Sequence, residues 1–322
     1  MIRIGTTGMA DVRIGETRVA KAYAGTDLVW GGNRAARFVA VGKNGTILRS
    51  DDGEAWTDAS TGSTAVLYGV VFGGGRFVAV GKNGTTVYST DGVTWTAGGS
   101  AGITNPFSVA YGNGRFVAVG NGGVTAYSTD GVTWTEGGMA WRHDLYRVTF
   151  AKGIFVAVGG EVASSGFGVT AYSTDGTSWT FKAHSSKSFH GVAYGNGMFV
   201  AVGFDYSGTI GVFVAYSTDG MTWTVKKLTS DSETLYSVAY GNGRFVAVGS
   251  SGTTACSTDG MTWTVKKLTG FSNEIKGIAY GGERFVAVGQ YEAAIWSVDG
   301  ETWTEAPTGS TEDLNDIASR EN

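Results

Sequence analysis

The motif Ser-x-Asp-Gly-x-x-Trp occurs seven times, and no other feature restricts the fold of this chain as strongly. The copies run Ser50–Trp56, Ser89–Trp95, Ser128–Trp134, Ser173–Trp179, Ser217–Trp223, Ser257–Trp263 and Ser297–Trp303. Successive tryptophans lie 39, 39, 45, 44, 40 and 40 residues apart. A period of about 40 residues filled with strand formers is the signature of a propeller blade. Length alone, 322 residues, would suggest about two domains; the repeat overrides that estimate.

One unit shows how a blade is written. Leu235 to Tyr240 is rich in β-formers, Gly241-Asn242-Gly243 turns the chain, and Arg244 to Gly249 forms a second strand. Ser250-Ser251-Gly252 turns it again, Thr253 to Ser257 is a third strand, and Met261 to Thr264 is expected as a fourth. These strands are named A to D. Strand B carries Phe-Val-Ala-Val in all seven copies. A half-buried strand alternates, so a continuous apolar run means burial on both faces, which blades packed face to face supply.

The repeated motif resembles the Asp box of sialidases, sortilin-type receptors and other propellers. That resemblance implies a structural turn between strands C and D in which Asp52, Asp91, Asp130, Asp175, Asp219, Asp259 and Asp299 accept backbone N–H groups. The motif tryptophans add apolar area between blades. Ring closure is legible at the ends. The first repeat starts at strand B, with Ala36-Arg37-Phe38, and Leu314 to Arg320 aligns with strand A after the seventh motif. The expected fold is therefore all-β, a seven-bladed propeller over 33–322, with the C-terminal strand closing the first blade and removing two sheet edges.

Residues 1–32 stand outside the blades. Short strand-like pieces such as Arg18 to Tyr23 alternate with Gly5-Thr6-Thr7, Gly15-Glu16-Thr17 and Gly25-Thr26-Asp27. So short a segment cannot build its own core and needs something to dock on. The run Arg18 to Trp30, with Val19, Lys21, Tyr23, Gly25, Val29 and Trp30, resembles the leader of minor tail and other virion proteins of tailed bacteriophages. This implies a part mounted on a virion through residues 1–32, beside other virion proteins, and made in the host cytoplasm. Association of several copies is compatible with such a role.

Net charge is −4 without a basic run, so nucleic acid is not an expected partner. There is no secretory h-region at Met1 to Gly5 and no apolar run of membrane length, so membrane insertion is not expected. Cys256, the single cysteine, takes the place of Tyr88, Tyr127, Tyr172 and Tyr216 in other repeats and is read as a buried substitute. No metal or cofactor motif is present, and neither is expected.

Variation points to one face. The A–B turns and the motif turns share one rim, the bottom, and hardly vary. The D–A connectors and B–C loops share the other, the top, and do vary. The enlarged B–C loops Gly160 to Gly168 and Phe204 to Phe213 belong to adjacent blades. With the connectors before them they gather Trp141, Arg142, His143, Asp144, Phe167, His184, Phe204, Asp205 and Tyr206. Irregularity on a regular scaffold marks a binding surface, and aromatic faces beside Asp, Arg and His suit a host-surface glycan or protein. Near the channel mouth, strand A varies at its second position, from Tyr68, Phe107, Tyr146 and His190 to Tyr236, Lys276 and Asn315. Its third position is mostly small but holds Arg147 and Asp316. Arg147, His190, Lys276 and Asp316 are the candidate channel-mouth residues.

Enzymatic activity is not expected. Arg37, Arg76, Arg115, Arg244 and Arg284 occupy one repeat position, which reads as scaffold and not as the converging arginines of a sialidase. The leading expectation is a non-enzymatic virion structural protein presenting a propeller face. The alternatives are a bacterial scaffold or assembly factor, like photosystem assembly propellers with similar repeats, and then a glycosidase.

Overall fold

The computed structural model describes residues 35–139, 143–160, 167–185, 187–205, 211–230, 232–291 and 293–320, together with five short strands of the N-terminal segment. Seven four-stranded antiparallel sheets form the blades of a β-propeller. Blade 4 is representative: strand A is Asp144–Ala151, B is Ile154–Gly160, C is Phe167–Ser173 and D is Thr180–Ser185. Blade 1 takes its strand A from the C-terminus. Leu314–Ser319 pairs with Phe38–Gly42, with Ile317 opposite Ala40 and Ser319 opposite Phe38. The N-terminal strands are Ile2–Ile4, Val12–Ile14 and Thr17–Val19 in one sheet, and Lys21–Ala24 paired with Asp27–Gly31. The run Arg18 to Tyr23 is thus divided between two sheets.

The core lies between blades. Strand B is buried along its Phe-Val-Ala-Val run, each of these residues at 0 or 1% exposure. Phe155 and Ala157 of blade 4 pack with Val117 and Val119 of blade 3, and Val156 and Val158 pack with Phe199 and Ala201 of blade 5. Each such side chain contributes about 1.5–3 kcal/mol by leaving water, and the arrangement repeats around the ring. The A–B hairpins turn on pairs with φ > 0, such as Asn113 (47°) and Gly114 (73°), the Asn-Gly pattern whose twist suits a two-residue hairpin.

The Ser-x-Asp-Gly turns are built alike. In blade 5, Ser217 Oγ donates to Asp219 Oδ1 (2.9 Å) and accepts from Gly220 N–H (2.8 Å). Asp219 Oδ1 also accepts from Met221 N–H (2.8 Å) and Thr222 N–H (2.7 Å). Those two N–H bonds, Thr222 first, hold the Asp219 carboxyl down to about 2. Because the turn captures these amides, strand D begins after the tryptophan. In blade 6 it is Thr264–Lys267, three residues later than expected from sequence. The turn glycine is required by packing too: a Cβ on Gly131 would lie 2.7 Å from Val78 Cγ2 of the preceding blade, at φ +71°.

Most A–B turns are sewn to the next blade's motif turn. Asn113 Nδ2 donates to Thr174 O (3.1 Å) and Arg115 Nη1 to Asp175 O (2.8 Å). Asn242 Nδ2 donates to Val298 O (3.2 Å) and Arg244 Nη1 to Asp299 O (2.8 Å). Arg284 pairs with Glu54 across the closure. On the closing strand Arg320 Nη2 donates to Thr90 O (2.9 Å). The bottom rim is thus a hydrogen-bonded belt.

Candidate functional site

The mouth of the channel is shaped by one repeated irregularity. In every blade the A–B register slips near the start of strand A. In blade 6, Leu235 faces Gly249 and Ser237 faces Val248, so Tyr236 is the extra residue of a bulge. A bulge re-aims its side chain. The extra residues are Tyr68, Phe107, Tyr146, His190, Tyr236, Lys276 and Asn315, and all seven are partly exposed.

They form a near-continuous collar. Ring centroids lie 5.5 Å apart for Tyr68–Phe107 and 5.9 Å for Phe107–Tyr146. Tyr146 stacks on His190 at 5.1 Å and 9°, and His190 meets Tyr236 edge-on at 5.9 Å. Lys276 Nζ lies 3.5 Å from Asn315 Oδ1 and 3.6 Å from Asp313 Oδ2. Asn315 Nδ2 donates to Leu67 O (2.9 Å), which closes the collar back to blade 2. Burial holds His190 down to about 4, and its Nε2 has no hydrogen-bond partner among the described residues.

One layer below, the third position bars the channel. Arg147 Nη1 of blade 4 reaches Asp316 Oδ1 of the closing strand at 2.7 Å. Its Nη2 lies 3.5 Å from Ser237 Oγ of blade 6. Asp316 Oδ2 accepts Val70 N–H (3.0 Å), and Ser108 Oγ accepts Val148 N–H (3.3 Å). Small polar side chains here cap the free inner edge of the neighbouring strand A. A cavity of about 290 Å³ extends down the channel from this layer, past Val70, Val148 and Ile317 to Phe72 and Ser319.

In the top-face sector of blades 4 and 5, Trp141, Arg142 and Tyr206 lie outside the described residues. Phe167, Phe204 and Asp205 are on strands and not in loops, because B and C extend as long hairpins. Phe204 pairs with Val212 and Asp205 with Gly211. The alternation of Phe204-Asp205 against Val212-Phe213 continues the ladder past the expected turn. Asp205 is only 2% exposed and lies 3.9 Å from Lys187 Nζ, which sits over the Phe213 ring at 5.1 Å. Asp144 Oδ1 accepts from Asn121 Nδ2 (2.9 Å) and Gly122 N–H (2.7 Å), fastening the B–C loop of blade 3. His184 Nε2 and Thr170 Oγ1 share a hydrogen bond at 3.0 Å. Burial, then Lys182 and Lys187, hold that imidazole down to about 4. Phe167 is 40% exposed, with the His143 ring 6.5 Å away.

The structure brings together Arg147 with Asp316, and His190 with the aromatic collar. It does not bring Asp144 or Asp205 into an open site. The collar aromatics Tyr68, Phe107, Tyr146 and Tyr236 were visible as a variable column but not as a ring, since only the register reveals the bulge. Cys256 Sγ lies 2.9 Å from Gly300 O, and burial pushes its thiol up to about 11, which opposes nucleophilic use. No group of three or more metal-ligating side chains exists among the described residues, and no helix is long and apolar enough to cross a membrane.

No family model matches the chain, and no curated protein matches it. Solved structures do. A structure of YCF48 bound to D1 peptide shares 19% identity with a TM-score of 0.55, over 75% of this chain and 81% of that one. YCF48 from Cyanidioschyzon merolae gives 16% and 0.54, over 77% and 87%. A chain of a nidogen–laminin complex gives 9% and 0.54, over 87% and 97%. At these identities the likeness concerns the propeller fold.

Proposed function

We propose that this chain is a non-catalytic scaffold propeller that takes an extended protein segment at the mouth of its channel. The observation that carries this reading is the collar of bulge-borne side chains, five aromatic rings beside Lys276 and Asn315. Aromatic side chains with polar tips are favoured anchors at protein interfaces. The structure of YCF48 bound to D1 peptide is in keeping with this use. A non-catalytic role is supported by the arginines: Arg115, Arg244 and Arg284 are spent on the bottom belt.

A second reading rests on the leader Val19-x-Lys21-x-Tyr23-x-Gly25-x-x-x-Val29-Trp30. Residues 1–32 mount the propeller on a virion, and the same mouth meets a neighbouring virion protein or a host-surface glycan or protein. Selection from a displayed library of random peptides about 12 residues long tests for a peptide site at the mouth. The scaffold reading expects enriched peptides whose capture fails with the Tyr68→Ser/Tyr236→Ser variant. No enrichment, or equal enrichment by that variant, counts against it. Saturable attachment of a fluorescent 33–322 fragment to bacterial cells supports the host-surface role.

A further inference from the structure

The B–C loop of blade 7 breaks a pattern. The left-handed position of this loop is held by Asn44, Asn83, Gly122 and Ser251 in blades 1, 2, 3 and 6, at φ 49°, 59°, 68° and 52°. Blade 7 has Tyr291 there, at φ 52°. Asn and Gly adopt this conformation readily, while a bulky side chain is strained in it. Burial does not offset the strain, since Tyr291 is 72% exposed. Its N–H donates to Asp313 Oδ1 (3.2 Å), which ties the loop to the segment entering the closing strand.

A cavity of about 250 Å³ opens beside this ring, between the D–A connector of blade 6 and the B–C loop of blade 7. Its lining includes Phe271, Ser272, Asn273, Glu305 and Pro307. Strain retained at an exposed residue points toward function, and here the strained tyrosine lines a polar hollow. We infer that this hollow is a subsite for one neutral pyranose ring stacked on Tyr291. The aromatic face matches the C–H face of a sugar. Asn, Ser and Glu supply both donors and acceptors for its hydroxyls. Glu305 is the one charged side chain among the described lining residues, and it disfavours an anionic sugar. The volume lies below the about 300–1,000 Å³ of pockets for drug-sized ligands, which suits a single ring. This subsite sits on the rim of blades 6 and 7 and does not depend on the channel-mouth reading.

Saturation-transfer NMR on the whole chain tests it, with the methyl glycosides of glucose, galactose, mannose and N-acetylglucosamine at about 10 mM, suited to millimolar affinity. At least one sugar should show transfer, strongest at its ring C–H protons. Tyr291→Ser should cut that transfer by about fivefold or more, while the bottom-face Lys152→Ser leaves it unchanged. Serine already occupies the equivalent position at Ser251, so the variant folds, and a circular-dichroism melt checks this. No transfer to any of the four sugars, or equal transfer in Tyr291→Ser, overturns the inference.

Discussion

Removing Asp316 should unfasten the channel and cost more than any surface ion pair. Its Oδ1 is 2.7 Å from Arg147 Nη1 and its Oδ2 accepts Val70 N–H at 3.0 Å. Side-chain exposures of 16% for Arg147 and 6% for Asp316 leave the pair largely shielded from water. Breaking a buried pair from one side costs about 3–5 kcal/mol, because the other charge is left uncompensated. The pair borders the channel cavity, where water reaches the orphaned groups, so Asp316→Ala should fall at the lower end, about 3 kcal/mol. At about 1.5 °C per kcal/mol for a chain of this length, the melting temperature should drop by about 5 °C. Arg147→Met should cost a similar amount, since Asp316 keeps only Val70. The double variant Arg147→Met/Asp316→Leu removes both charges and should recover to within about 1–2 kcal/mol of the parent. Urea titrations of all four proteins give the coupling energy directly. Single losses below about 1 kcal/mol, or losses that simply add in the double variant, would refute a bar of mutually dependent charges.

Deleting residues 313–322 leaves strand B of blade 1 without its strand A partner, and an open edge invites pairing between molecules. Light scattering should rise and the cooperative melt should vanish; an unchanged melt contradicts the closure. His184 and His190 are held neutral down to about 4, so between pH 6.5 and 4 the unfolded chain binds more protons and stability falls on acidification. His190→Gln should flatten that decline, and a parallel slope in variant and parent melts would contradict the assignment. Tyr291→Asn should raise stability by about 1 kcal/mol by relieving the left-handed strain, read as a higher urea midpoint; a lower midpoint speaks against strain at that residue.

Blade number and ring closure were legible in sequence because both follow from local chemistry. Phe-Val-Ala-Val needs burial on two faces, and Leu314 to Arg320 has the pattern of a strand A with no partner except the first blade. The site was less legible. Tyr236 looks like any strand residue until its partner strand is placed, since a bulge is a property of register and not of composition. Arg147 and Asp316 stood out as charges in a column of small residues, but their pairing across the channel needs the closed ring. Asp205 falls within an enlarged B–C loop by sequence, yet the alternation around it signals a longer hairpin. Tyr291 carried a sequence signal, a tyrosine in a column of Asn, Gly and Ser, whose meaning depends on φ.

The most direct test of the central claim is the affinity of the most enriched displayed peptide, measured by fluorescence anisotropy against the parent, Tyr236→Ser and Lys152→Ser. Recognition at the aromatic collar predicts about a tenfold weaker Kd for Tyr236→Ser and no change for the bottom-face variant. Equal affinity for parent and Tyr236→Ser, or loss of binding with Lys152→Ser, would contradict a binding site at the channel mouth.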